Sequence, residues 1–195
     1  MKRYKLISSL ALVLLLGMSI NSLAITYDFN SVSTGTHTEA AFSALFLGVS
    51  FDNFGGTGFT VNSSAPGAPL SGRVILNSPY NGTTTRATFD ILSTFVSVDL
   101  GDYDADAETF WLKAYDSVNT LVDSDSYNQP DFQYGGATIS VAASDIAWVE
   151  FYSSNINSAY WDNFTFQPVP EPATMLLLGS GLFGLAGFRR KFRKR

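Results

Sequence analysis

Residues 25–168 predict an all-β domain, a jelly-roll-like antiparallel β-sandwich, flanked by an N-terminal signal helix and a C-terminal hydrophobic helix. Three observations carry this. The segment is rich in Phe, Tyr, Val, Thr and Ser with turn residues recurring throughout, the composition of many short strands. Several stretches alternate apolar and polar side chains with period two, which turns one face of a strand towards a core. No long helical pattern interrupts them, and no internal repeat at a fixed period is present.

Taken in order, strands are expected at 25–30, 46–53, 72–76 and 86–92. The Gly/Ser/Pro stretches 55–58 and 62–71 read as loops. Phe95–Leu100 places Val96, Val98 and Leu100 on one face, with Ser97 and Asp99 on the other. Glu108–Tyr115 sets Phe110, Leu112 and Ala114 against Trp111, Lys113 and Tyr115. A strand at 137–142 precedes Ile146–Tyr152, where Ala147, Val149 and Phe151 oppose Trp148, Glu150 and Tyr152. Tyr160–Phe166 aligns Asp162, Phe164 and Phe166. Some nine strands in 144 residues suit two packed sheets around one core.

Charge narrows the function. The domain holds three basic residues, Arg73, Arg86 and Lys113, against 16 acids, a net charge of −13. Such a domain repels phosphate backbones, so nucleic acid is not an expected partner. The absence of cysteine excludes disulfides, thiolate metal sites and thiol nucleophiles, and the single His37 excludes multi-histidine metal clusters.

The two ends read as addresses. Lys2, Arg3 and Lys5 precede an apolar run from Leu6 to Ile20, and Ser22 and Ala24 supply small residues for signal peptidase. Residues 1–24 are therefore expected to be a signal peptide cleaved after Ala24. At the other end, Pro170-Glu171-Pro172 leads into the uncharged run 173–188 and then the basic tail 189–195. Arg189, Arg190 and Lys191 form a stop to membrane transfer under the positive-inside rule. At ~1.5 Å per residue the run covers about 24 Å, short of the ~30 Å hydrocarbon core. Two prolines around Glu171 hold that stretch extended and accessible to a processing enzyme.

This tail, Pro-Glu-Pro then a glycine-punctuated apolar run then Arg-Arg-Lys, resembles a PEP-CTERM protein-sorting signal. The resemblance implies recognition by exosortase, a membrane transpeptidase of Gram-negative bacteria that make extracellular polysaccharide. It also implies an inner-membrane precursor whose helix is removed, with the domain left at the cell surface or released. Within 25–168, Tyr-Asp-Phe-Asn at the start, Ser-Val-Asp-Leu-Gly-Asp at 97–102 and Tyr-Trp-Asp-Asn-Phe-Thr-Phe at 160–166 are similar to galactose-binding-like jelly rolls of carbohydrate-binding modules.

Two acidic sets are candidates for calcium. Asp102, Asp104 and Asp106 alternate like the opening of an EF-hand loop, but Ala107 replaces its turn glycine and Lys113 its bidentate glutamate. The other reading of this cluster, with Asp99 and Glu108, is a solvated loop between strands. The carbohydrate-binding resemblance implies a second site, a structural calcium between first-strand and last-strand acids, which here match Asp28 and Asp162; the alternative is that Asp162 bonds to backbone groups at a strand edge. Trp111, Tyr115, Trp148 and Tyr152 are candidates to stack on sugars, against a role in the core. Tyr103, Tyr127 and Tyr134 lie near turns as further candidates. His37 reads as a solvated loop residue, and neither a nucleophile elbow nor a second histidine suggests an enzyme. The expectation is an exported, non-catalytic surface or matrix protein associated with exopolysaccharide; the alternative is a calcium-dependent lectin-like module, and a third reading is a glycoside-active enzyme working through a pair of acids.

Overall fold

The computed structural model describes residues 22–78, 84–103, 107–131, 133–154 and 159–170. The signal segment 1–21, the run 173–188, Asp104, Asp106, Glu171, Pro172, Arg189, Arg190 and Lys191 lie outside the described residues. Among the described residues no helix is long and apolar enough to cross a membrane.

Among the described residues there are ten strands and one short helix. They are β1 (Ile25–Tyr27), β2 (Gly35–Thr38), α1 (Glu39–Ser43), β3 (Val49–Phe54), β4 (Gly58–Asn62), β5 (Val74–Ser78), β6 (Thr84–Asp102), β7 (Glu108–Tyr115), β8 (Leu121–Gln129), β9 (Gly135–Ser153) and β10 (Tyr160–Pro168). Every pairing is antiparallel.

The sandwich is built by two long strands that serve both sheets. β6 and β9 pair along their whole length, but their register slips between Thr88 and Phe95. On one side of that bend, β6 from Ser93 onwards lies between β10 and the first half of β9, and β5, β4 and β2 extend the sheet beyond β10. On the other side, β6 from Thr84 to Asp90 pairs with β3, and the second half of β9 pairs with β7, which pairs with β8. Bulges at such corners let a strand pass from one sheet to the next without ending its ladder.

An aromatic core joins the sheets. Trp161 on β10 is 1% exposed and packs edge-on to Phe29, Phe42, Phe59 and Phe151 at 5.0–6.0 Å. Phe51 on β3 meets Phe164 on β10 edge-to-face at 5.1 Å. The alternating residues of the sequence account for the rest: Val96, Val98, Leu100, Phe110, Leu112, Ala114, Val149 and Phe151 are all buried. α1 contributes Phe42; Thr38 caps it by accepting from the Ala41 N–H, with Glu39 in its first turn.

Several expectations need correction. The predicted strands 86–92 and 95–100 are one strand, as are 137–142 and 146–152, because hydrogen bonding continues through both bends. β2, β4, β8 and α1 were not foreseen. His37 sits on β2, partly buried, its Nε2 2.8 Å from the Ser33 carbonyl, rather than in a solvated loop. Asp102 and Glu108 close their strands as buried residues, so the acidic segment is not solvated at its ends.

Candidate functional site

Alternation on β7 and β9 fixes which side chains share the outer face of the second sheet. With Phe110, Leu112 and Ala114 inward, Trp111, Lys113 and Tyr115 must point outward, and the same parity turns out Trp148, Glu150 and Tyr152. The register then sets Trp111 opposite Tyr152, Lys113 opposite Glu150 and Tyr115 opposite Trp148. On the far side of β9, Arg86 of β6 lies opposite Glu150. The four aromatic candidates are thus brought onto one face.

Two aromatic pairs flank a row of charge. Trp111 and Tyr152 stack with centroids 5.2 Å apart. Tyr115 and Trp148 lie 3.8 Å apart and 10° from parallel. Between them, Arg86 forms an ion pair with Glu150 at 2.8 Å. Its guanidinium also lies 3.9 Å from the Trp148 ring and 4.4 Å from Phe54. Lys113 stands 5.4 Å from the Tyr152 ring, and a hydrogen bond to the Tyr152 hydroxyl raises its pKa. Burial, then the Glu150 charge, raises that of Tyr115. Each contact is worth only about 0.5–1.5 kcal/mol, but together they hold the side chains in one arrangement, which lowers the ordering cost of binding.

This geometry decides which rings are free to stack. Tyr115 on β7 and Arg86 on β6 cover Trp148 from its two sides, so it presents an edge. Trp111 has Tyr152 on one side, while its outer-face neighbour on β8 is Ser126, and that of Lys113 is Ser124. Side chains that small leave part of the Trp111 ring exposed. Arg86, Glu150 and Phe54 were not singled out in the sequence. The available signal was the scarcity of base: Arg86 and Lys113 are two of the domain's three basic residues.

The acidic candidates form a different arrangement. Asp162 is fully buried on β10; its Oδ1 accepts from the Asn163 N–H at 2.7 Å and its Oδ2 from the Ser71 N–H at 3.1 Å. Asp99 on β6 lies opposite it and accepts from Thr138 Oγ1 and Asn163 Nδ2. Asp28 is exposed and accepts from the Asn30 N–H at 3.2 Å. Burial pushes the Asp162 carboxyl up to about 6, with Asp99 and Asp28 adding repulsion against the two backbone donors. Asp162 thus accepts from two backbone N–H groups. Asp102 accepts from the Tyr103 N–H at 2.7 Å. Among the described residues no three acidic or histidine side chains converge to hold a metal ion. The other tyrosines disperse: Tyr103 donates to Ser64 and meets Tyr160 edge-on, Tyr127 joins the core margin, and Tyr134 is exposed at the far end of β9.

Beyond β10, Val169 and exposed Pro170 lead out of the domain. Residues 168–191 match the PEP-CTERM protein-sorting motif. The chain carries a PEP-CTERM sorting signal. That signal implies export, a precursor anchored in the membrane at its C-terminus, and processing by exosortase to a surface or secreted product. Comparison with curated proteins gave no match. Solved structures similar to this chain include the K2 cleaved adhesin domain of Lys-gingipain (14% identity, TM-score 0.49, covering 75% of this chain and 98% of that one). They also include the CBM22-1 xylan-binding domain of Paenibacillus barcinonensis Xyn10C (12%, 0.44, 80% and 100%). An arabinose-bound α-L-arabinofuranosidase matches at 12% and 0.47, over 76% of this chain and 26% of the enzyme. The chain thus spans about a quarter of that enzyme's length. All three TM-scores fall below 0.5, so the sandwich assignment rests on the strand pairing itself.

Proposed function

We propose that the protein is a non-catalytic surface component that associates with extracellular polysaccharide through the outer face of β6, β7 and β9. The observation that carries this is the partly exposed Trp111 beside Lys113, braced by Tyr152 and by the Tyr115–Trp148–Arg86 stack. A sugar ring offers apolar C–H faces to an aromatic ring and hydroxyls to nearby donors and acceptors, which Lys113, Ser124, Ser126 and Glu150 supply. The net charge of −13 disfavours chains rich in uronate or sulfate, so the ligand class is a neutral glycan. In this reading signal peptidase and exosortase process the precursor, and the domain performs no chemistry.

A screen of residues 25–168 against neutral and anionic glycans, including the host's exopolysaccharide, tests the proposal. Binding to neutral glycans that Trp111→Ala weakens at least about tenfold is the expected result. The calcium-dependent form, through Asp28 and Asp162 or through Asp102, Asp104 and Asp106, is tested in the same screen by adding chelator. An unchanged melting temperature between millimolar calcium and chelator removes it.

A further inference from the structure

Several exposed apolar side chains of the domain gather at one end. β1 pairs with β10 so that Ile25 faces Phe166, and both chain ends leave past this point. Gly48 sits against the Phe166 ring, with φ +83 and an added Cβ 3.3 Å from the ring, which brings the 45–48 segment alongside. The Tyr27 hydroxyl donates to the Leu47 carbonyl at 2.7 Å, and the Asp90 N–H donates to the Gly48 carbonyl at 3.0 Å. The Val169 N–H donates to the Leu92 carbonyl at 2.7 Å. These bonds gather Ile25, Leu47, Ile91 and Leu92 around the exit of the chain, and Leu47 is 84% and Ile91 52% exposed.

The same end is nearly free of charge. Segments 23–27, 45–50 and 164–169 contain no charged residue, and Asp90 is the one acid from 88 to 94, in a domain holding 16 acids. Asp145 lies on the facing bend of β9, next to Ile146, which pairs with Ser93. Soluble domains leave single apolar side chains exposed at random, but an uncharged group of them marks a contact surface.

We infer that this end of the domain rests on the lipid surface of the membrane while the apolar run 173–188 still holds the precursor there. Chain length argues for lipid as the occupant. Three residues separate Val169 from Ala173, the first of the apolar run, and the four Cα steps between them reach at most about 14 Å when extended. A tether that short confines the domain at high effective concentration over the bilayer, so a contact of four side chains suffices. Repulsion between the acidic body and anionic lipid is screened beyond about 8 Å at physiological salt, which favours the uncharged end as the one that approaches. Release of the tether by exosortase would then free the domain without any change in its fold.

The absence of native cysteine makes the test clean. The full chain carries one cysteine, as Leu47→Cys, Leu92→Cys or Tyr134→Cys, labelled with a polarity-sensitive fluorophore in phosphatidylethanolamine–phosphatidylglycerol vesicles. Tyr134 adjoins the Gly135–Asp102 pair, and the nine residues from Ser93 to Asp102 put it roughly 30 Å along β6 from the bend. Labels at 47 and 92 should lose quenching by aqueous iodide and gain quenching by a shallow lipid-borne spin label; the label at 134 should stay open to iodide. Iodide access at 47 and 92 equal to that at 134 overturns the inference. So does protection that grows with protein-to-lipid ratio, since a second copy would then be the occupant, or protection at all three sites, since the chain would be partitioning unfolded.

Discussion

Asp162 carries more of the domain's pH dependence than its single charge suggests. Its pKa is pushed up to about 6 from an ordinary 3.8, so the folded state holds its proton where the unfolded chain has released it. The stability this gives is fully present below about pH 3.8 and is lost as pH rises through about 6. The melting temperature of Asp162→Asn should therefore fall less between about pH 4 and about pH 7 than that of the wild type; equal falls would contradict the assignment. In the core, Phe42 is wholly buried and touches Phe29, Phe46, Phe51, Phe59 and Trp161. Phe42→Ala should cost about 3–5 kcal/mol in denaturant melts, because the rings around it cannot close the space.

At the scale of elements, β8 shows how a free sheet edge is closed. Its inward-side carboxylates replace a missing strand: Asp125 accepts from the Ser140 N–H at 2.9 Å and Asp123 from the Ala142 N–H at 2.7 Å. Edges left open pair with other chains. Asp123→Ala with Asp125→Ala should destabilise the domain by about 1–3 kcal/mol per lost acceptor and produce dimers or aggregates in size-exclusion runs. An unchanged elution and melt would remove that role. These same residues explain why β8 was illegible. Leu-Val-Asp-Ser-Asp-Ser-Tyr-Asn-Gln has polar residues where alternation demands apolar ones, since its inward positions bond to backbone. β4 and β2 are short and begin with Gly58 and Gly35, which read as loop. β7 and the second half of β9 were legible because an apolar core demands strict parity, and parity alone gathered Trp111, Tyr115, Trp148 and Tyr152. Cross-strand register was not readable, so the Arg86–Glu150–Lys113 row between them was not either.

For the whole molecule, the three tryptophans report the two faces. Trp161 is sealed between the sheets at 1% exposure, whereas Trp111 and Trp148 are partly exposed on the outer face. Acrylamide should quench two of the three, and Trp111→Phe with Trp148→Phe should leave a blue-shifted, protected emission. Quenching of all three would mean that the sheets are not packed as described. The sorting signal adds an expectation at this scale: intact mass of the product from an exosortase-positive host should lack the basic tail.

The Trp111 face is proposed to bind a neutral glycan. The most direct measurement of this is the affinity of residues 25–168 for such glycans, wild type beside Trp111→Ala and beside Tyr134→Ala on a remote surface. The account predicts binding that Trp111→Ala weakens at least about tenfold and Tyr134→Ala leaves unchanged. Binding indifferent to Trp111, or no binding to any glycan including the host's own exopolysaccharide, would contradict it.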